Sequence, residues 1–157
     1  MEKKNGIIGF TGAFRDSVKE IITGSKIVCT GSIAVCTPFI ELLSYTVRDK
    51  DFEMVYVPVA DLKKAKIINM QENIGYSVVD VQGDPINPDV VVVMGGLAMP
   101  KFGCSPEDVL KMIIEISVDI KPKIIGVCFM NIFERTGWTK KVSFDVLIDT
   151  YMETIVK

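Results

Sequence analysis

The strongest nucleophiles in this chain are its four cysteines, Cys29, Cys36, Cys104 and Cys128, and no histidine accompanies them. Without imidazole, Ser-His and Cys-His catalysis within one chain is excluded, as are metal sites built on histidine. Any general base must be Asp, Glu, Lys, Tyr or another thiolate. A free thiol with a pKa of about 8.5 is only a few per cent thiolate near neutrality, so a catalytic Cys128 needs a base or an electropositive setting. Asp61, Glu134 or a second chain are the bases available to it. The plainer role of each cysteine is that of a small buried hydrophobe. Cys29 and Cys128 fall at the carboxyl ends of expected strands and Cys104 in a loop from a third, so thiolate metal binding is conceivable. No CxxC spacing supports it, and no metal is assigned.

Glycines mark the other chemical locus. In DVVVVMGG, from Asp89 to Gly96, the apolar run Val90 to Met94 suits a strand covered on both faces, and it empties into Gly95-Gly96. Ligands in open α/β sheets gather outside the carboxyl ends of strands, and glycines there let backbone N–H groups approach them. Gly31-Ser32 follows an earlier expected strand, KIVCT, while Phe129 and Asn131 follow a later one, KIIGVC. The candidate ligand-binding residues are therefore Gly31, Ser32, Gly95, Gly96, Phe129 and Asn131, with Cys128 the candidate catalytic residue. Gly9-x-x-Gly12 matches neither GxGxxG nor the Walker pattern and reads as a turn.

These loops need elements to hold them. The strip Gly6 to Gly12 reads as a loop or short extended piece. Phe14, Val18, Ile21 and Ile22 then define a helix that Gly24 terminates. Lys26 to Thr30 is the first core strand, Thr37-Pro38 opens a helix, and Glu53 to Val57 is the second strand, completing a β-α-β unit. Asp61 to Asp89 permits either a hairpin around Gln71-Glu72-Asn73 or a short helix before an extended stretch. Ser105 to Asp108 is a capping box with Pro106 at the first helical position, and Asn131 to Glu134 is a second box opening a short helix that Gly137 closes. Lys123 to Phe129 is the fourth strand and Val142 to Ile148 the fifth; the type of Asp149 to Lys157 stays open. Alternating strands and helices with such crossovers imply an α/β fold, a three-layer α/β/α arrangement of Rossmann-like or flavodoxin-like kind around a mostly parallel central sheet.

The whole chain, 157 residues with 48% apolar and 24% charged, fits a single domain over residues 1–157. A net charge of −2 with no Lys/Arg stripe gives no footprint for nucleic acid. Neither a signal-peptide h-region nor an apolar run of membrane-spanning length is present, so no membrane partner is expected. With irregular cysteine gaps read as reduced thiols, the expected location is cytoplasmic.

From Asp89 onward the pattern resembles the class I glutamine amidotransferase-like superfamily, through DVVVVMGG, the helix near Val109, KIIGVC, and the short helix before Gly137. The resemblance implies Cys128 as nucleophile at a strand-to-helix turn, with the N–H groups of Gly96 and Phe129 as an oxyanion hole. The family's histidine is absent, Gly31-Ser32 stand where one branch carries a Glu, and Met130 occupies a position that a tight elbow wants small. The segments GFTGAFR and VVVMGGLAMP are similar to an uncharacterised archaeal protein family, a likeness that implies no activity.

The expected function is non-hydrolytic binding of a small anionic or nucleotide-like ligand at the strand ends; the alternative is a cysteine-dependent hydrolase or thiol enzyme using Cys128. The sequence names no cofactor. A homodimer is the other expected partnership, with Phe10, Phe14, Phe102 and Trp138 as an exposed apolar patch.

Overall fold

The computed structural model describes residues 1–157. Seven strands form one sheet in the order β4-β3-β2-β1-β5-β6-β7. They are β1 (Lys26–Gly31), β2 (Glu53–Pro58), β3 (Lys66–Gln71), β4 (Gly75–Gln82), β5 (Val90–Met94), β6 (Lys123–Phe129) and β7 (Val146–Thr150). Five of them, β2-β1-β5-β6-β7, run parallel, and β3 and β4 add antiparallel at one side. Successive strands are laid outward in one direction from β1 to β2, and in the other from β5 to β7.

The valine ribbon is where the sequence requires it. Every residue of β5 is buried, between β1 and β6. Its side chains alternate between two apolar clusters: Val90, Val92 and Met94 join one, Val91 and Val93 the other. Helices α1 (Gly6–Val18) and α2 (Thr37–Thr46) fill the first cluster through Phe10, Phe14, Val18, Ile40 and Leu43. The second takes Val109, Met112 and Ile116 from α3 (Pro106–Ile116) and Phe133 from α4 (Ile132–Arg135). A strand buried on both faces must be apolar at every position, which is why β5 shows no two-fold alternation in sequence.

Several expectations are corrected. The strip Gly6 to Gly12 is helical: Phe10, Phe14 and Val18, four residues apart, turn onto the sheet, and their burial outweighs the cost of three glycines. That helix stops at Val18, and Gly24, at φ +83°, closes a later turn by donating its N–H to the Lys50 carbonyl. The uncertain middle is a hairpin, β3 to β4, with Asn73 at φ 59° in its turn. The last strand begins at Val146, because residues 142–145 form the bend that delivers the chain to β6. The aromatic patch does not exist as a surface: Phe10, Phe14 and Trp138 are all buried, and only Phe102 is exposed.

Candidate functional site

At the end of β1 the chain makes a tight turn into α2. The Cys36 N–H donates to the Ser32 carbonyl at 3.0 Å, the Val35 N–H to Ile33 at 2.8 Å, and Ala34 takes φ 64°. Cys36, rather than Thr37, is the residue preceding the helix, with Pro38 in its first turn. The glycines here are required by space. A Cβ on Gly31 would sit 2.6 Å from the Cys36 Cβ, and one on Gly96 would run into the Cys36 sulfur, so β1, β5 and the start of α2 meet at van der Waals limits.

Ser32 lies in this junction. It is 0% exposed, and its hydroxyl has no hydrogen-bond partner. A buried hydroxyl left unpaired costs about 1–3 kcal/mol, so such a group calls for an explanation. Beside it, burial pushes the Cys36 thiol up, while the backbone N–H groups of Ser32 and Gly96 hold it down. Tyr56 closes the floor by donating its phenol to the Gly31 carbonyl at 3.2 Å.

Cys128 occupies the other side of the same glycine pair. A Cβ on Gly95 would come within 2.6 Å of the Cys128 Cβ, so glycine pair and sulfur are neighbours as the sequence implies. The two thiols nevertheless face different ways, Cys36 into the α1/α2 cluster and Cys128 into the α3/α4 cluster. Cys128 is 1% exposed and lies within β6; the left-handed residues of the following turn are Met130 and Asn131. It thus stops two positions short of an elbow that would present it.

Its surroundings oppose a thiolate. The Cys128 sulfur donates to Asp149 Oδ1 at 3.5 Å, and burial, followed by that carboxylate, pushes its pKa up to about 12 despite the N–H groups of Phe133 and Ile132. The Asn131 N–H donates to the same oxygen at 2.9 Å, so it is already used. No capping box forms at Asn131, whose side chain caps nothing; Glu134 accepts from Thr139 at 2.6 Å and is exposed. Asp61 follows β2, which β1 and β5 separate from β6. Neither expected base therefore serves Cys128.

Phe129 is half-buried and is a wall more than a donor, its ring 5.5 Å from Phe10 and 4.8 Å from Phe39. Of the predicted residues, Gly31, Ser32, Gly95 and Gly96 come together, and Cys128 adjoins them from the opposite face. Asn131 is tied to Asp149 instead. Cys29 and Cys128 lie in different clusters, and no three potential ligands among Cys, Asp and Glu gather to hold a metal. Sequence reasoning missed Cys36 and Asp149. The first was signalled only by its place before Thr37-Pro38, and the second was hidden by ending the last strand at Ile148, two residues before its end at Thr150. Two surface grooves lie elsewhere: one of about 710 Å³ between α2 and the β3–β4 turn, one of about 450 Å³ between the end of α3 and the start of β6.

Fold and site define a mixed α/β protein whose mostly parallel seven-stranded sheet carries four helices and a polar junction at the β1 and β5 ends. The chain belongs to the family described as an uncharacterized protein conserved in archaea (DUF2124), which it matches over residues 5–153. It is 36% identical over 157 residues to the uncharacterized protein MJ1183 of Methanocaldococcus jannaschii, covering 99% of this chain and 92% of that one. An uncharacterized protein of Methanothermobacter thermautotrophicus is 35% identical over 156 residues, with 99% and 96% covered. A crystal structure of a protein of unknown function from Methanothermobacter thermautotrophicus superposes with a TM-score of 0.87 at 33% identity, over 100% of this chain and 96% of that one. No helix is long and apolar enough to cross a membrane.

Proposed function

We propose that this protein is a non-hydrolytic, cytoplasmic binding domain for a small anionic or nucleotide-like ligand, seated between the ends of β1 and β5 and the start of α2. Counting only its parallel strands, the sheet has the order 2-1-3-4-5, and we read the architecture as three-layered and flavodoxin-like. In that order the crevice falls where the direction of strand addition reverses, between β1 and β5, and both glycine-bearing turns open there. The observation that carries this reading is the Ser32 hydroxyl, fully buried and unpaired between Gly31 and Gly96. The start of the ten-residue α2 adds a partial positive charge to the same place.

Because Ser32 and Cys36 are covered, entry requires the turn Ile33 to Val35 to lift; Ile33 and Ala34 are exposed and lie outside any regular element. The Asp149 carboxylate disfavours an anion at the β6 end, which confines the ligand to the β1 side. The same carboxylate, with burial, argues against the alternative of a thiol enzyme using Cys128.

A thermal-shift panel of nucleotides and organic anions tests the reading. A ligand at 100 times its Kd stabilises by about 2.7 kcal/mol, a shift of several degrees for a domain of this size. Ser32→Ala should reduce that shift while leaving the free protein equally or more stable, since it removes an unpaired group. No stabilisation by any millimolar member, or a shift that Ser32→Ala leaves intact, contradicts the proposal.

A further inference from the structure

The sheet ends in two unlike edges. At β4 the edge is guarded: the β3–β4 register shifts between Lys66 and Ile68, and exposed Asp80 is ion-paired with Lys66. Irregular register and edge charge are the usual defences against strand addition. At β7 there is no such defence. Thr150 accepts the Met130 N–H through its carbonyl, so by the two-residue alternation of a strand Leu147, Asp149 and Tyr151 turn their backbone N–H and C=O groups away from β6. The Asp149 side chain, which might have guarded the edge, is engaged with Cys128 and Asn131. Beyond Thr150 the chain continues as YMETIVK, unpaired, with Tyr151, Met152, Ile155 and Val156 all exposed. Ile8 of α1, the helix that packs along β7, is 81% exposed as well.

We propose that β7 and the segment after it form an interface with a second copy of this chain, as an antiparallel β pairing about Met152. An identical edge turned by a two-fold axis is the partner whose free groups necessarily match, because an isologous contact pairs each donor with its own counterpart. About Met152 the paired segment spans Leu147 to Lys157. The odd-numbered residues, whose backbone groups point outward, then oppose one another: Leu147 with Lys157, Asp149 with Ile155, Tyr151 with Glu153. The even-numbered residues continue the face on which Ile148 is buried under α1, and bring Ile148 against Val156 and Met152 against Met152. No like charges are directly opposed; of the diagonal neighbours, Lys157 falls beside Asp149 of the other copy, which is favourable, and Glu153 beside its Asp149 and Glu153, which is not. Joined this way, the two seven-stranded sheets become one continuous sheet with both β7 edges closed.

Sedimentation or light scattering of the full chain at roughly 100 μM tests the proposal, since a homodimer with a micromolar Kd is about nine-tenths associated there. The expected mass is twice 17.4 kDa. Tyr151→Pro removes an outward N–H outside the folded core, so it should leave folding unchanged and weaken association at least tenfold. Amide exchange at residues 147, 149, 151, 153 and 155 should slow with protein concentration in the natural sequence and not in the variant. A monomer at that concentration, or a dimer indifferent to Tyr151→Pro, overturns the proposal.

Discussion

Each thiol in this chain is specified by what surrounds it. Burial pushes Cys29 and Cys128 up to about 12, well above the ordinary thiol value of about 8.5. Between those values the native state keeps protons that the unfolded chain has shed. The unfolding free energy therefore falls as pH rises through that window, by up to about 1.4 kcal/mol per unit for each thiol. Urea midpoints measured from about pH 8 to about pH 10.5 should decline. Cys128→Ala should flatten the slope, because its packing cost is the same at every pH. At neutral pH, native Cys128 should alkylate far more slowly than a free thiol. The glycines are tied to the thiols by contact. Gly96→Ala should cost about 1–3 kcal/mol by forcing a methyl against the Cys36 sulfur. Gly96→Ala with Cys36→Ala should cost less than the two single changes summed, a coupling that a double-mutant cycle of chemical unfolding measures.

At the scale of elements, the helices divide by how they begin. In α3 the Ser105 hydroxyl accepts the Asp108 N–H at 3.1 Å and the Asp108 carboxylate accepts the Ser105 N–H at 3.0 Å, a reciprocal box with Pro106 behind it. Ser105→Ala should lower stability by about 1 kcal/mol, read as a drop in Tm, without touching the β1–β5 junction. By contrast α2 begins on Cys36 with no side-chain cap: Pro38 has no N–H to offer, and the N–H groups of Phe39 and Ile40 donate to the Cys36 carbonyl at 3.1 and 3.0 Å. The short α4 is held from outside, by Asp149 on the Asn131 N–H and by Phe133 stacked 5.3 Å from Trp138.

For the molecule as a whole, burial is uneven across the sheet. The first five residues of β4 are half-buried and its last three exposed, whereas β5 is wholly buried. The β3–β4 hairpin should therefore open as a unit at lower free energy than the parallel strands. Native-state amide exchange checks this: Tyr76 to Val81 should exchange before Val91 to Val93, and equal rates would mean the sheet opens only as one body. The site junction belongs to the stable part, while the Ile33 to Val35 turn is its least constrained piece. A ligand would therefore bind by moving a short turn rather than by separating layers.

Length, composition and periodicity by themselves determined that this is an α/β protein, that Val90 to Met94 runs through its interior, and that Gly31-Ser32 and Gly95-Gly96 follow core strands; that those strands are adjacent was settled by the tertiary structure. The first three conclusions depend on local apolar spacing and on the few residues able to end a strand or start a helix, and both are written in the chain. Only the tertiary structure decided that Cys36 rather than Cys128 shares the junction with Ser32. It also decided that Asp149 holds the Asn131 N–H, and that the glycine-rich start is a helix. Each of these depends on which residues distant in sequence meet across the sheet, and hydrophobic pattern, which records only whether a side chain is buried, does not record against what.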